Sequence, residues 1–111
     1  MSAEFVELGR RAVACKGWRW MPGMVYLVEG PAKWRIQSNN HAVQIHADRN
    51  PDLSDPATLG CLLALVREAW GHPDLHIRRE ADGWRAWTDD PGGWTYGNEA
   101  AALVYTLEAA P

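Results

Sequence analysis

This sequence predicts an α+β fold: one compact domain over residues 1–111, with an antiparallel sheet packed against three helices in the order α-βββ-α-βββ-α. Three observations carry that expectation. The segment Ser54 to Gly71 has a start signal, a stop signal and a broad apolar face. Short stretches bounded by Gly, Pro, Asn and Asp flank it on both sides, as strands between turns do. The 111 residues contain no linker or low-complexity segment at which a second domain would begin.

The central segment is justified first. Asp55 is a good N-cap because its carboxylate can accept from the free N–H groups of the first turn. Pro56 follows at the first helical position, where a missing N–H does no harm. Gly71 can adopt the left-handed conformation that ends a helix. Leu59, Leu62, Leu63, Val66 and Trp70 recur at helical spacing. Ala57, Cys61, Ala64, Leu65 and Ala69 widen the stripe, so this helix is expected to have partners on several sides.

The first helix runs from Ser2 to Cys15, with Ser2 as cap, a stripe of Phe5, Leu8, Ala12 and Cys15, and Gly17 as stop. Glu4 and Glu7 near its start and Arg10, Arg11 and Lys16 near its end suit the helix dipole. Glu7 and Arg11 form an i,i+4 pair. Trp18 to Gly23 is a connector dense in aromatic residues. Strands are expected over Met24 to Val28, Trp34 to Gln37 and Ala42 to Ala47; the third alternates Ala42-Gln44-His46 against Val43-Ile45. Asp48 to Asp55 is a loop leading into the central helix.

After Gly71, Leu75 to Ala81 is a strand, and Asp82-Gly83 is a two-residue hairpin signal. That turn sets Ala81 opposite Trp84, Glu80 opposite Arg85 and Arg78 opposite Trp87. Ile77, Ala81, Trp84 and Ala86 then share an apolar face, with Arg79 out of place on it. His76, Arg78, Glu80, Arg85 and Trp87 share the other. Asp90 to Gly93 fits a type II turn, Trp94 to Tyr96 a last short strand, and Asn98 caps a helix through Ala109. Ala100, Leu103, Val104 and Leu107 should face inward.

Composition narrows the function classes. A net charge of −3 does not suit a general nucleic-acid binder. No apolar run approaches the roughly 20 residues that span a bilayer, and the start, with Glu4 and Glu7, lacks a basic-then-apolar leader. A cytoplasmic protein with no membrane attachment is expected. Cys15 and Cys61 fall on apolar stripes and are expected as small buried hydrophobes rather than a disulfide.

No constellation for catalysis emerges. His72 and His76 have the i,i+4 spacing of helical metal ligands, but Gly71 and Pro73 surround His72 and no helix is expected there. His41 and His46 would lie on opposite faces of the third strand. No metal and no cofactor is expected. Asp52/Asp55 and Asp89/Asp90 flank turns or a helix start, where Asp has a structural use. Ser38 and Ser54 lie in turns, and Gly92-Gly93 feeds a strand, not the helix a phosphate cradle needs.

Binding is the better-supported class. Lys16 to Met24 mixes two cations, two indoles and two methionines, and Trp and Arg are over-represented at protein–protein hot spots. Trp18, Arg19 and Trp20 are the candidates there, although inward rings closing one end of the core would explain them too. The Arg78/Arg85/Trp87 face is the second candidate, since a guanidinium over an indole is a favourable cross-strand contact.

Three segments, Arg11 to Met24, Pro51 to Gly71 and Glu99 to Pro111, resemble a group of short uncharacterised proteins of bacteriophages and prophages. The likeness spans nearly the whole chain and leaves out Val25 to Asn50. It implies a context and no catalytic residues: an accessory protein in the bacterial cytoplasm that binds a host or phage macromolecule, inhibitors of host defence included. The alternatives are a small-molecule or nucleotide binder and a virion or assembly component.

Overall fold

The computed structural model describes residues 2–28, 31–46, 48–87 and 95–111. In chain order the elements are α1 (Ala3–Val13), β1 (Val25–Leu27), β2 (Lys33–Arg35), α2 (Asn39–Ala42), α3 (Pro56–Trp70), β3 (His76–Glu80), β4 (Gly83–Trp87), β5 (Thr95–Tyr96) and α4 (Glu99–Glu108). The fold is α+β, with two small antiparallel sheets, β1-β2 and β3-β4-β5, in place of the single sheet expected. The expected turn over Asp90 to Gly93, and Trp94, lie outside the described residues. Among the described residues, no helix is long and apolar enough to cross a membrane.

Local signals set the helix starts. Ser2 caps α1 and accepts from the Phe5 N–H, Asp55 caps α3 and accepts from the Thr58 N–H, and Asn98 caps α4 and accepts from the Ala101 N–H. Pro56 occupies the first turn of α3, and Gly71 ends it at φ 64°. At the end of α1 the cap is Ala14, before Gly17 is reached. Gly17 has a different use: a Cβ there would come within 3.1 Å of Leu107 and 3.2 Å of Ala69, so its smallness lets α3 and α4 approach the connector. Glu7 pairs with Arg10, one residue closer than Arg11, because Arg11 crosses to Glu108 on α4.

The expected third strand, 42–47, does not form where it is described. Ser38 caps the short helix α2 instead, its hydroxyl accepting from the His41 N–H at 3.1 Å. Ala42 is buried and Ile45 packs on the same cluster, a spacing of three that a helical turn satisfies. Val43, which alternation with Gln44 would have turned inward, is 82% exposed. What joins β1 on its free side is the loop before α3: Tyr26 bridges Pro51, the Leu27 N–H donates to the Asn50 carbonyl at 2.8 Å, and the Asp52 N–H to the Val25 carbonyl at 2.8 Å.

The β3–β4 hairpin forms, two residues out of the expected register. Glu80 pairs with Gly83, Arg78 with Arg85 and His76 with Trp87, so Ala81-Asp82 make the turn. Gly83 sits at φ +145°, and a Cβ there would meet the Tyr96 carbonyl oxygen at 2.4 Å. Glycine both allows that backbone and lets β5 lie close. A slip of two preserves which face each side chain takes, whereas a slip of one would reverse it.

The core is organised around α4, not α3. Ala100 to Val104, Thr106 and Leu107 are buried, and α4 packs against α1, α3 and all three strands β3, β4 and β5. Leu8, Ala12, Leu62, Val66, Leu75, Leu103 and Val104 form the main cluster. α3 buries Thr58, Leu62, Leu65 and Val66, while Gly60, Ala64 and Glu68 make an exposed stripe at i,i+4 spacing. A second cluster, Met24, Ile36, Ala42 and Leu65, lies under the two-stranded sheet.

Polar links tie the hairpin β1–β2 to α3. The Val25 N–H donates to Thr58 Oγ1 at 2.9 Å, and that hydroxyl donates to Asp55 Oδ2 at 2.9 Å. Arg35 donates to both Asp55 oxygens, at 3.0 and 3.3 Å, and to the Gly23 carbonyl at 2.6 Å. Lys33 reaches buried Asp52 at 2.8 Å, which also accepts from the Ser54 N–H and hydroxyl. Lys33 and Arg35, two apart on β2, therefore meet the two carboxylates that frame the start of α3.

Candidate functional site

The outer face of the three-stranded sheet holds one set of candidates. Ile77 packs against the main cluster, so its neighbours His76 and Arg78 turn the other way by strand alternation. Their partners across the hairpin, Trp87 and Arg85, share that face. Trp87 is 36% exposed and gathers the others around it. The His76 ring lies parallel to it at 6.3 Å and 9°. The Arg78 and Arg85 guanidiniums stand 4.8 and 5.2 Å from its centroid.

Arg78 and Arg85 are directly opposed, where Glu80 had been expected to face Arg85. Like charges so placed are unfavourable, and here the indole face between them supplies compensating attraction. Glu80 lies 3.7 Å from Arg78 on the same strand. Arg79 is exposed although it sits on the apolar side, opposite Trp84.

Trp18, Arg19 and Trp20 lie on a separate element, the connector from α1 to β1. Both indoles turn inward. Trp18 packs on both clusters and Trp20 on the second. They meet edge to face at 5.2 Å, and Trp20 meets Tyr26 edge to face at 6.2 Å. The Trp18 Nε1–H is buried with no acceptor among the described residues. Such a donor costs about 1–3 kcal/mol, which the burial of so large a ring can offset. Arg19 is exposed and pairs with Glu68 of α3.

Beside this connector, the ends of α1, α3 and α4 border an open cleft of about 780 Å³, lined by Arg11, Lys16, Trp18, Arg19, Glu68 and Glu108 among others. Arg11 is held by Glu108 and by the Tyr105 hydroxyl at 3.2 Å, and its guanidinium stands 4.4 Å over the Tyr105 ring. Tyr105 stacks on Tyr96 at 4.8 Å. Sequence reasoning missed the cleft, because its walls come from segments nearly 100 residues apart. It also missed Trp34, 58% exposed on β2; nothing in a three-residue strand marks that ring as uncovered.

The titratable groups follow their surroundings. Burial would push the Asp52 carboxyl up, but Lys33 and Ser54 outweigh it and hold it below the ordinary carboxylate range. Burial likewise opposes Arg35 and Thr58 at Asp55, and they again prevail downward. Both carboxylates are thus committed to structural cations and caps. Cys15 and Cys61 are part-buried rather than fully buried, and burial pushes both thiols up, with Glu108 and Asp55 adding to it. A raised thiol is a poor nucleophile at neutral pH.

His41 belongs to α2, and not to a strand whose opposite face carries His46. Among the described residues, no three His, Cys, Asp or Glu side chains gather as metal ligands would. The described residues form a small α+β protein with an aromatic–cationic sheet face and an open cleft. No protein-family model, curated protein or solved structure matches the chain.

Proposed function

We propose that this protein works by binding another macromolecule, a protein partner, through the outer face of the three-stranded sheet. The observation that supports it is Trp87, an exposed indole with His76, Arg78 and Arg85 around it on the face turned away from the core. Aromatic rings and guanidiniums give large contact area together with directional polar contacts, the combination enriched at hot spots. The likeness of three segments to phage and prophage proteins supports the wider reading: an accessory factor in a bacterial cytoplasm, with host-defence components among its candidate targets. Arg19, exposed beside the cleft, is a secondary contact in this reading.

Quantitative affinity capture from bacterial lysate tests it, with wild type, Trp87→Ala and Trp20→Ala compared. Losing a central anchor costs about 2 kcal/mol, roughly thirtyfold in affinity, so Trp87→Ala should lose the specific partner while its far-ultraviolet circular dichroism stays that of wild type. An unchanged partner list for Trp87→Ala overturns the assignment of the surface. A second reading, a small-molecule or nucleotide binder, is favoured by the cleft of about 780 Å³. A ligand bound only to the folded state raises the melting temperature, and a nucleotide panel that shifts wild type but not Lys16→Ala would establish it.

A further inference from the structure

We propose that His41 is an acid-sensitive latch that closes the chain between β2 and α2 on Gln37. The argument is independent of the binding reading above and rests on what each ring nitrogen meets. Nδ1 faces the backbone N–H of Gln37 at 3.2 Å, and Nε2 faces the Tyr26 hydroxyl at 3.2 Å. A backbone N–H can only donate, so Nδ1 is the acceptor and the proton of the neutral ring sits on Nε2. Nε2–H then donates to the Tyr26 oxygen. The imidazolium has two donors and no acceptor. Protonation therefore sets N–H against N–H at Gln37 and removes that bond.

Among the described residues, the groups around the ring do not compensate. From β1 it meets Tyr26, edge to face at 5.8 Å. On its own segment Ser38 caps the His41 backbone N–H, and His46 is exposed. From β2, Lys33 and Arg35 are committed to Asp52 and Asp55. Among the described residues, no carboxylate lies within ion-pair distance of His41 to hold a charged ring in place. The connector contributes Trp20, which meets Tyr26 edge to face and so lies close enough to sense the charge on the His41 ring beyond it. Gaining the proton thus frees the Gln37 N–H, between β2 and α2, while Nε2–H keeps its bond to Tyr26.

The test is two-dimensional NMR of the full chain between pH 8 and pH 5, the span in which histidines ordinarily titrate. At pH 8 the His41 ring should show the Nε2–H tautomer. As the ring gains its proton, protection of the Gln37 amide, corrected for intrinsic exchange, should fall roughly fivefold, the ratio one hydrogen bond sustains. The Trp20 indole signal should move with the same midpoint. His46→Gln should leave that midpoint in place and His41→Gln should abolish it. An Nδ1–H tautomer at pH 8, or Gln37 protection that holds through the titration of the ring, overturns the latch. Both readouts come from wild type, so they decide even if His41→Gln does not fold.

Discussion

Asp55 is the residue whose removal tests the architecture most directly. It caps α3 through the Thr58 N–H, accepts from the Thr58 hydroxyl and pairs with both terminal nitrogens of Arg35. Losing an N-cap costs about 1 kcal/mol. Leaving the fully buried Thr58 hydroxyl without its acceptor costs about 1 kcal/mol more. The Arg35 pair contributes less than its geometry suggests, about 0.5–1 kcal/mol, because the Arg35 side chain is 45% exposed. Asp55→Ala should therefore destabilise by about 3 kcal/mol and lower the urea midpoint by about 2 M, with a slope near 1.5 kcal/mol/M. Asp55→Asn keeps a good cap and should cost about 1 kcal/mol. Equal losses for the two variants, or a loss below about 1 kcal/mol for Asp55→Ala, would refute the view that one carboxylate joins the helix start to the hairpin.

Other perturbations probe the remaining contacts. Asp52 and Asp55 titrate below their unfolded values, so the stability they contribute is complete above about pH 4 and disappears as pH falls through the lowered folded values. Urea midpoints from pH 6 to pH 2.5 should show that drop, and Lys33→Met should shrink it. Leu103→Ala, in the fully buried face of α4, should cost about 3–4 kcal/mol. Leu63→Ala, on the half-buried side of α3, should cost about 1–2 kcal/mol; the opposite ranking in denaturant melts would return the centre of the fold to α3. Gly83→Ala forces a Cβ against the Tyr96 carbonyl and should cost about 2 kcal/mol or more, with loss of cross-strand contacts between Trp84 and Tyr96 in NMR. Gly60→Ala, with open space around the site, should instead stabilise by about 0.5–1 kcal/mol.

Much of the candidate sheet face was legible beforehand, for a reason specific to strands. Side chains alternate with period two, so Arg78, Arg85 and Trp87 share a face under either register. Which of them stand opposite each other depends on where the turn closes. Closure at Ala81-Asp82 is coupled to the approach of β5 to Gly83, from a segment more than ten residues away. The connector was legible only in composition. Whether Trp18 and Trp20 face water or core depends on Tyr26, Leu65 and Ile36, which chain order does not bring to mind.

Sequence alone determined the starts of α1, α3 and α4 and the end of α3, because a cap is a bond between neighbours: Ser2, Asp55, Gly71 and Asn98 act within four residues of their own positions. It also determined the inward face of α4, since Ala100, Leu103, Val104 and Leu107 follow the helical repeat. Only tertiary structure decided that α4 is the hub, that the strands divide into two sheets, and that Ala42 to Ile45 close α2 and turn where a strand was expected. Those outcomes are settled by competition for buried area among distant segments, and an apolar stripe records that it needs a partner without recording which one.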